Sequence, residues 1–179
     1  MKDILQHQAL RYDKAGDLHY DNISAYIKSV RASDADAAIY WLARMLESGE
    51  DPLFITRRMV ILAAEDIGMA DPYALTIAVA AQQAVHFIGM PEGRIPLAEA
   101  TVYLATAPKS NSTYIALCKA IEDIRNGSNA PVPLHLRNAH THLTREMGYG
   151  REYKYDHNYP EHFAGQSNLP DDIKDRSYY

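Results

Sequence analysis

The chain has 179 residues, of which 47% are hydrophobic, and a formal net charge of −5. A domain of this size can bury enough apolar surface to fold without disulfides, and the single cysteine, Cys118, excludes a disulfide within the chain. The acidic balance argues against a basic nucleic-acid-binding surface as the dominant feature. The sequence has no apolar run of about 18 residues, so no membrane span is predicted, and no apolar signal core follows Met1.

Helix signals begin after an ambiguous N-terminal segment that ends near His19. Asn22 is placed to cap a helix that runs through Val30. Ser33, which has an acidic residue three positions later, predicts the cap of a second helix. The apolar residues of that helix recur with helical spacing until Gly49 ends it.

Aspartate–proline pairs at residues 51–52 and 71–72 each combine a capping acceptor with a proline that suits the first helical turn. The first pair opens a helix whose residues 60–64 are apolar on every side, which favours a central position. The second pair opens an alanine-rich helix that ends at about Phe87. Its small side chains allow a neighbouring helix to approach closely; they include Ala74, Ala78 and Ala81.

Prolines and glycines divide the second half of the chain. Pro91 and Pro96 predict a break. Three helices are predicted after it: Leu97–Thr106, Ser112–Asn126 and Leu136–Met147. No helical period continues beyond them. We therefore expect an all-α domain of about six or seven helices at residues 1–148, and an irregular tyrosine-rich tail at residues 149–179 that packs on the same domain or on a neighbouring subunit.

Arg58, Glu65 and Asp66 are spaced to share one face of the predicted central helix. Charges on a buried helix need partners, so these residues predict a structural ion-pair network. Such a network can hold one subunit or helix in register against another, or it can simply neutralise its own members. The sequence leaves both interpretations open.

A group of cations and tyrosines near the start of the tail predicts a contact surface. The cations are Arg137, Arg145, Arg151 and Lys154, and the tyrosines are Tyr149, Tyr153 and Tyr155. Proteins that bind single-stranded nucleic acid contact phosphates with arginine and stack aromatic rings on the bases. The same rings also suit a protein interface. Lys109 is a further candidate for a phosphate contact. The alternative for the group near the tail is an ordinary helix end, where cations complement the helix dipole. The alternative for Lys109 is a lysine in a turn that is exposed to solvent.

No catalytic or metal-binding arrangement emerges from the residues. Lys109 and Ser110 resemble the end of a phosphate-binding loop, but Tyr103 and Pro108 stand where that loop needs glycines. The histidines at positions 135, 140 and 142 lack the spacing of zinc ligands. A small helical enzyme is therefore the weakest of the functional hypotheses.

Two long stretches, Arg31–Gly68 and Leu104–Leu136, and shorter motifs at Gly148–Gly150 and Tyr153–Tyr155, follow one another along the chain. In this order they resemble the C-terminal part of a replication-associated family of AAA+ ATPases. That family comprises the bacterial RarA/MgsA proteins and their eukaryotic Werner-helicase-interacting relatives. The likeness extends over nearly the whole chain.

The resemblance implies a domain similar to the collar of clamp loaders, which associates with copies of itself, with a homotetramer as the expected assembly. It implies a parent protein that is a DNA-dependent ATPase, uses ATP and Mg²⁺, and acts with DNA and replication proteins at stalled forks in DNA replication, repair and recombination. The expected location is the bacterial cytoplasm, at the nucleoid.

The resemblance also places the ATP-handling motifs before Met1, which is then not the natural start of the protein. We therefore expect no cofactor, no metal ion and no enzymatic activity in this fragment, and no contact with a membrane. The alternative function is a nucleic-acid-binding or protein-binding module that contacts DNA or a replication partner.

Overall fold

A computed structural model describes residues 17–127 and 130–179, and this part of the chain contains α-helices and no β-strand. The helices are α1 (Asp17–Arg31), α2 (Ala35–Glu47), α3 (Pro52–Leu62), α4 (Tyr73–Ile88), α5 (Arg94–Thr106), α6 (Ser112–Arg125) and α7 (His142–Glu146). The predicted all-α class with six or seven helices is confirmed. None of the described helices is long and apolar enough to span a bilayer.

The chain divides into two units, Met1–Ile115 and Ala116–Tyr179, which we call the N-terminal and C-terminal units. Every buried hydrophobic residue of the described chain lies in the N-terminal unit. The largest of these side chains are Tyr26, Met45, Ile55, Met59, Leu62, Ile67, Leu97 and Leu104. Within residues 116–127 and 130–179 no residue is buried. The functional division at residue 148 stays a prediction.

The start of α2 differs from the sequence-based expectation by one residue. Asp34, not Ser33, is the cap, because its side chain accepts a hydrogen bond of 2.9 Å from the amide of Ala37. Ser33 has a φ of 61°, so it forms the left-handed turn between α1 and α2 instead. Gly49 ends the helix with a φ of 79°, as expected.

Helix α1 begins earlier than predicted. It starts at Asp17 and includes Asn22, which is buried inside the helix and does not cap it. Tyr26 and Val30 lie on the buried side of α1, at the spacing of one helical turn. Most of the ambiguous N-terminal segment, residues 1–16, lies outside the described residues.

The first aspartate–proline signal is confirmed, and the second opens a helix whose first residue follows Pro72. Asp51 accepts a hydrogen bond of 2.9 Å from the amide of Leu53 at the start of α3, and Asp71 accepts one of 3.0 Å from the amide of Tyr73 at the start of α4. Helix α4 packs against α3 and α5. The alanines predicted to allow close packing, Ala74, Ala78 and Ala81, are buried.

Helix α5 starts one turn before its predicted position. Pro96 does not break it, because the third helical position has no intrahelical acceptor for its amide, so a residue without an N–H fits there. Inside the core, the Thr101 hydroxyl of α5 bonds to the carbonyl of Leu97 at 2.8 Å and lies 3.0 Å from the Tyr26 hydroxyl of α1. The buried hydroxyl groups of Tyr26 and Thr101 therefore both have hydrogen-bond partners.

Helix α3 continues into a π-helical turn, Ala63–Ile67, which the sequence did not indicate. Ile61 and Ala64 are exposed while Leu62 and Ala63 are buried, so the apolar segment at residues 60–64 is covered on one side only. After the turn, Gly68 has a φ of 51°, and a Cβ atom there would lie 2.8 Å from the carbonyl oxygen of Ser110. Glycine is therefore required where the chain passes this close to the start of α6.

The predicted helix Leu136–Met147 was wrong in its first half. A short 3₁₀ turn covers Leu134–Leu136, Arg137 is extended, and only His142–Glu146 is α-helical. Thr141 begins this helix with a reciprocal capping box to Thr144. The positive φ of Gly148 ends it, as expected, and the tail that follows contains only short turns.

Candidate functional site

Asp66, in the π-helical turn, pairs with a residue of α1, which the sequence did not suggest. Asp66 is 9% exposed, and it accepts two hydrogen bonds from Arg31 at the end of α1, at 2.6 and 3.2 Å. The hydrogen bond to Asp66 raises the pKa of Arg31 above its usual value. The carbonyl of Asp66 also accepts from the amide of Ser110 at 2.8 Å. This turn therefore joins α1, α3 and the start of α6.

Arg58 and Glu65, the other two members of the predicted network, do not meet Asp66 through a hydrogen bond or an ion pair in the described residues. The Nε atom of Arg58 is buried and has no hydrogen-bond partner. Arg58 instead lines a groove of about 520 Å³ between α1 and α3, together with Lys28 and Arg31. No local spacing in the sequence relates α1 to α3, so sequence reasoning missed this group of cations.

Lys109 is tied to protein oxygens rather than open to a ligand. Its ammonium group donates to the carbonyls of Ala105 and Ala107 at the end of α5, and to the hydroxyl of Ser33 at 3.1 Å. Burial lowers its pKa. These donors satisfy the last carbonyls of a helix, so Lys109 has a structural role at the end of α5.

Arg137 and Tyr149 are brought together in the C-terminal unit. The guanidinium carbon of Arg137 lies 5.1 Å from the centre of the Tyr149 ring, and Nη1 donates to the tyrosine hydroxyl at 3.3 Å. The Nε of Arg137 donates to the carbonyl of Val132 at 2.6 Å. This pair holds the 3₁₀ turn against the beginning of the tail, so its main contacts are within the unit.

The remaining predicted contact residues are free to reach a partner. The side chains of Arg145, Arg151 and Lys154 are exposed and make no hydrogen bond or ion pair with any other described residue. Tyr153 and Tyr155 are 50% and 54% exposed. Positive charge and accessible rings are therefore close together along this part of the chain, which is the combination that the sequence predicted.

A cleft of about 550 Å³ in the C-terminal unit was not predicted. Arg151, His135 and Lys174 line it, with Met147 and Leu169 as apolar neighbours. The Nε2 atom of His135 is buried there without a hydrogen-bond partner. Nowhere in the described residues do three or more His, Cys, Asp or Glu side chains gather as metal ligands would.

Helix α6 carries an exposed apolar stripe that sequence reasoning did not single out. None of its residues is buried. Leu117 is 61% exposed, Ile121 36% and Ile124 66%, and their spacing of four and three residues puts them on one face. The same spacing can be read in the sequence, where it is typical of a helix with one apolar face.

The sequence of the chain matches domains found at the C-terminal end of AAA+ ATPases. Residues 32–179 match the family model described as MgsA AAA+ ATPase C terminal, and residues 1–31 match the one described as AAA C-terminal domain. The chain belongs to the MgsA AAA+ ATPase C-terminal family. The boundary between the two matches falls at the end of α1.

Curated relatives are similar over almost the whole chain. An AAA domain-containing protein of Mycobacterium tuberculosis is 54% identical over 96% of the chain, and replication-associated recombination protein A of Haemophilus influenzae is 46% identical over 100%. The ATPase WRNIP1 of Dictyostelium discoideum is 48% identical over 100%. The chain spans only 38%, 40% and 20% of these three proteins, respectively.

Proposed function

We propose that this chain is the self-association domain of a RarA-like AAA+ ATPase that acts at stalled replication forks. The observation that carries the proposal is the C-terminal unit, whose described residues include no buried side chain. A unit that does not build its own core gains stability when a second surface covers its apolar groups. A second copy of the chain supplies such a surface at every interface of a homotetramer.

The apolar stripe on α6 is the surface that we expect two copies to share. Leu117, Ile121 and Ile124 follow the four-and-three spacing with which paired helices bury a common seam. Lys119 stands on the opposite side of the same helix. Isolated apolar side chains on a surface are ordinary, but a continuous stripe marks an interaction site.

Light scattering on the purified chain tests the proposal. We expect a mass that is a multiple of the chain mass of 20.1 kDa, with four copies as the predicted assembly. Leu117→Glu should lower that mass, because it puts a charge into the shared seam, whereas Lys119→Glu on the other face should leave it unchanged. A wild-type mass of 20.1 kDa at every concentration would overturn the proposal.

For the whole protein we propose DNA-dependent hydrolysis of ATP with Mg²⁺, in the cytoplasm at the bacterial nucleoid, with DNA and replication proteins as partners. The family of the chain and the names of its relatives support this. The described part of the chain would contribute the assembly rather than the chemistry, because the donors of Lys109 are already bonded to protein oxygens.

A second candidate function is contact with single-stranded nucleic acid. It is favoured by Arg145, Arg151 and Lys154, whose side chains are exposed and unpaired among the described residues, next to the accessible rings of Tyr153 and Tyr155. Because each phosphate contact releases counterions, such binding weakens steeply as salt rises.

Fluorescence anisotropy with single-stranded and forked DNA at several salt concentrations tests this second function. Changing all three cations to glutamate should reduce the slope of log affinity against log salt by about 2, since each contact contributes roughly 0.7 on a single strand. Lys119→Glu, on α6, serves as the control and should leave the slope unchanged. Binding that does not respond to salt would exclude contact with phosphates.

A further inference from the structure

The groove between α1 and α3 holds positive charge that the described residues do not neutralise. Arg31 is paired with Asp66, but Lys28 and Arg58 make no hydrogen bond or ion pair with any other described residue. Asp21 is the only acidic side chain among the described residues that line the groove. Lys28 on α1 and Arg58 on α3 therefore both line the groove without an acidic partner among the described residues.

Arg58 is the cation of this groove whose lack of a partner costs most. Its Nε atom is buried, yet no described atom accepts its hydrogen. A buried donor without an acceptor is costly, and guanidinium groups are most often satisfied by carboxylates or phosphates. The groove also has an apolar floor, formed by Ile27 and Phe54, both of which are partly buried. An anionic segment with one apolar side chain fits this combination.

The C-terminal unit presents a segment of that chemistry. The segment Asp171–Asp175, which includes the turn Asp171–Ile173, carries three exposed aspartates and one lysine. None of these aspartates forms an ion pair with another described residue. Ile173 stands between them and is only partly exposed. Charge and apolar character thus match the groove.

The acidic turn is held in place from both sides. The amide of Ile173 donates to the carbonyl of Pro170 at 3.0 Å. After the turn, Arg176 and Tyr178 both donate to the carboxylate of Asp123 on α6, at 3.1 and 2.8 Å. The segment is therefore ordered before it meets a partner, which lowers the entropic cost of binding.

We propose that the groove between α1 and α3 of one copy receives the Asp171–Asp175 segment of a second copy, with Lys28 and Arg58 facing the aspartates. This rests on the proposed self-association and names one of its interfaces. The contact joins two different surfaces, so it runs head to tail, and repeated contacts of this kind close into a ring when the rotation between copies allows it.

A charge exchange tests the proposal. One variant carries Lys28→Glu and Arg58→Glu, and the other carries Asp171→Lys and Asp172→Lys. Alone, each variant opposes like charges at the contact, so its association constant should fall by about tenfold or more. Mixed in equal amounts, the two variants meet each other with opposite charges at every contact. Light scattering should then show the wild-type mass again.

The outcomes separate the two proposals. If wild type has a mass of 20.1 kDa, self-association itself is wrong. If wild type assembles and both variants keep its mass, the groove is not a contact between copies, and this inference alone is overturned. Recovery on mixing supports the contact between copies, whereas two variants that dissociate and do not recover overturn it. Circular dichroism confirms that each variant is folded, and Lys28→Glu alone replaces the first variant if it is not.

Discussion

The N-terminal unit holds every buried hydrophobic side chain of the described chain, whereas the C-terminal unit holds none. The first unit packs α1–α5 around one core, with α2 against α1 and α5, and α4 against α3 and α5. The second has one long helix segment, one five-residue helix and several short turns. Because only the first unit has a buried core, the same substitution should change the free energy of unfolding more in the N-terminal unit than in the C-terminal unit. Matched pairs of substitutions measure this difference.

The largest contrast is expected between two leucines. Leu104 is fully buried in α5, so Leu104→Ala should lower the free energy of unfolding by about 2–5 kcal/mol through lost burial and a cavity. Leu117 is 61% exposed, so Leu117→Ala should change it by about 0.5 kcal/mol or less. Urea unfolding at low protein concentration, followed by circular dichroism, measures both. Equal losses would contradict the comparison.

Two aspartates that each accept two hydrogen bonds give the next contrast. Asp66→Asn removes the charge that pairs with Arg31, and its side chain is 10% exposed, so a loss of about 1.5–3 kcal/mol is expected. Asp123→Asn weakens the bonds from Arg176 and Tyr178, and Arg176 is 60% exposed, so a loss of about 1 kcal/mol or less is expected. The same unfolding measurement compares them, and a larger loss for Asp123 would reverse the ranking.

Two tyrosines should differ in alkaline solution. Burial raises the pKa of Tyr26, and a hydrogen bond to Asp123 raises the pKa of Tyr178. A raised pKa in the folded state contributes stability that is complete below the unfolded value of about 10 and is lost as the pH rises above it. Tyr26→Phe should therefore flatten the loss of stability above that pH, and at neutral pH it should cost about 1 kcal/mol for the bond to Thr101.

Tyr178→Phe provides the comparison for the alkaline measurement. It should flatten the pH dependence less, because the pKa of Tyr178 is raised mainly by its hydrogen bond to Asp123 and not by deep burial. Tyr103, whose bond to Asp71 also raises its pKa, keeps part of the slope in both variants. Unfolding curves from pH 7 to above pH 10 show which hydroxyl matters, and an unchanged slope in Tyr26→Phe would contradict the expectation.

Much of the fold could be predicted because its signals are local. Asp51 and Gly49 act as cap and stop through their own geometry, and the apolar period predicted α2 correctly. The bounds of α6 were predicted to within one residue. The errors occur where a local signal has competitors. Asn22 is a good cap, but the preceding residues continue the helix, so the helix begins before it. Residues 137–141 lack an apolar stripe that could be buried, and the helix there does not form.

The candidate site was harder to predict because its partners are far apart in sequence. Arg31 and Asp66 are separated by 35 positions, and no spacing rule connects them. The π-helical turn also changes which residues share a face after Ala63, so the alignment of Arg58 with Asp66 on a regular helix does not hold. By contrast, Arg151 and Lys154 are exposed, and their role as contact residues stays a prediction.

The smallest contrast concerns two helix caps. Asp34 starts a 13-residue helix with three buried residues, so Asp34→Ala should cost about 1 kcal/mol. Ser33→Ala should cost less, because Ser33 lies outside the helix and loses only the exposed hydrogen bond from Lys109. Thr141 starts a five-residue helix with none buried, so Thr141→Ala should cost only a few tenths of a kcal/mol, about the lower limit for a cap. A cap stabilises a protein only as far as its helix is coupled to a core. Thermal unfolding of the three variants measures that coupling, and an effect of Thr141→Ala as large as that of Asp34→Ala would show that the C-terminal unit is stabilised by contacts comparable to a core.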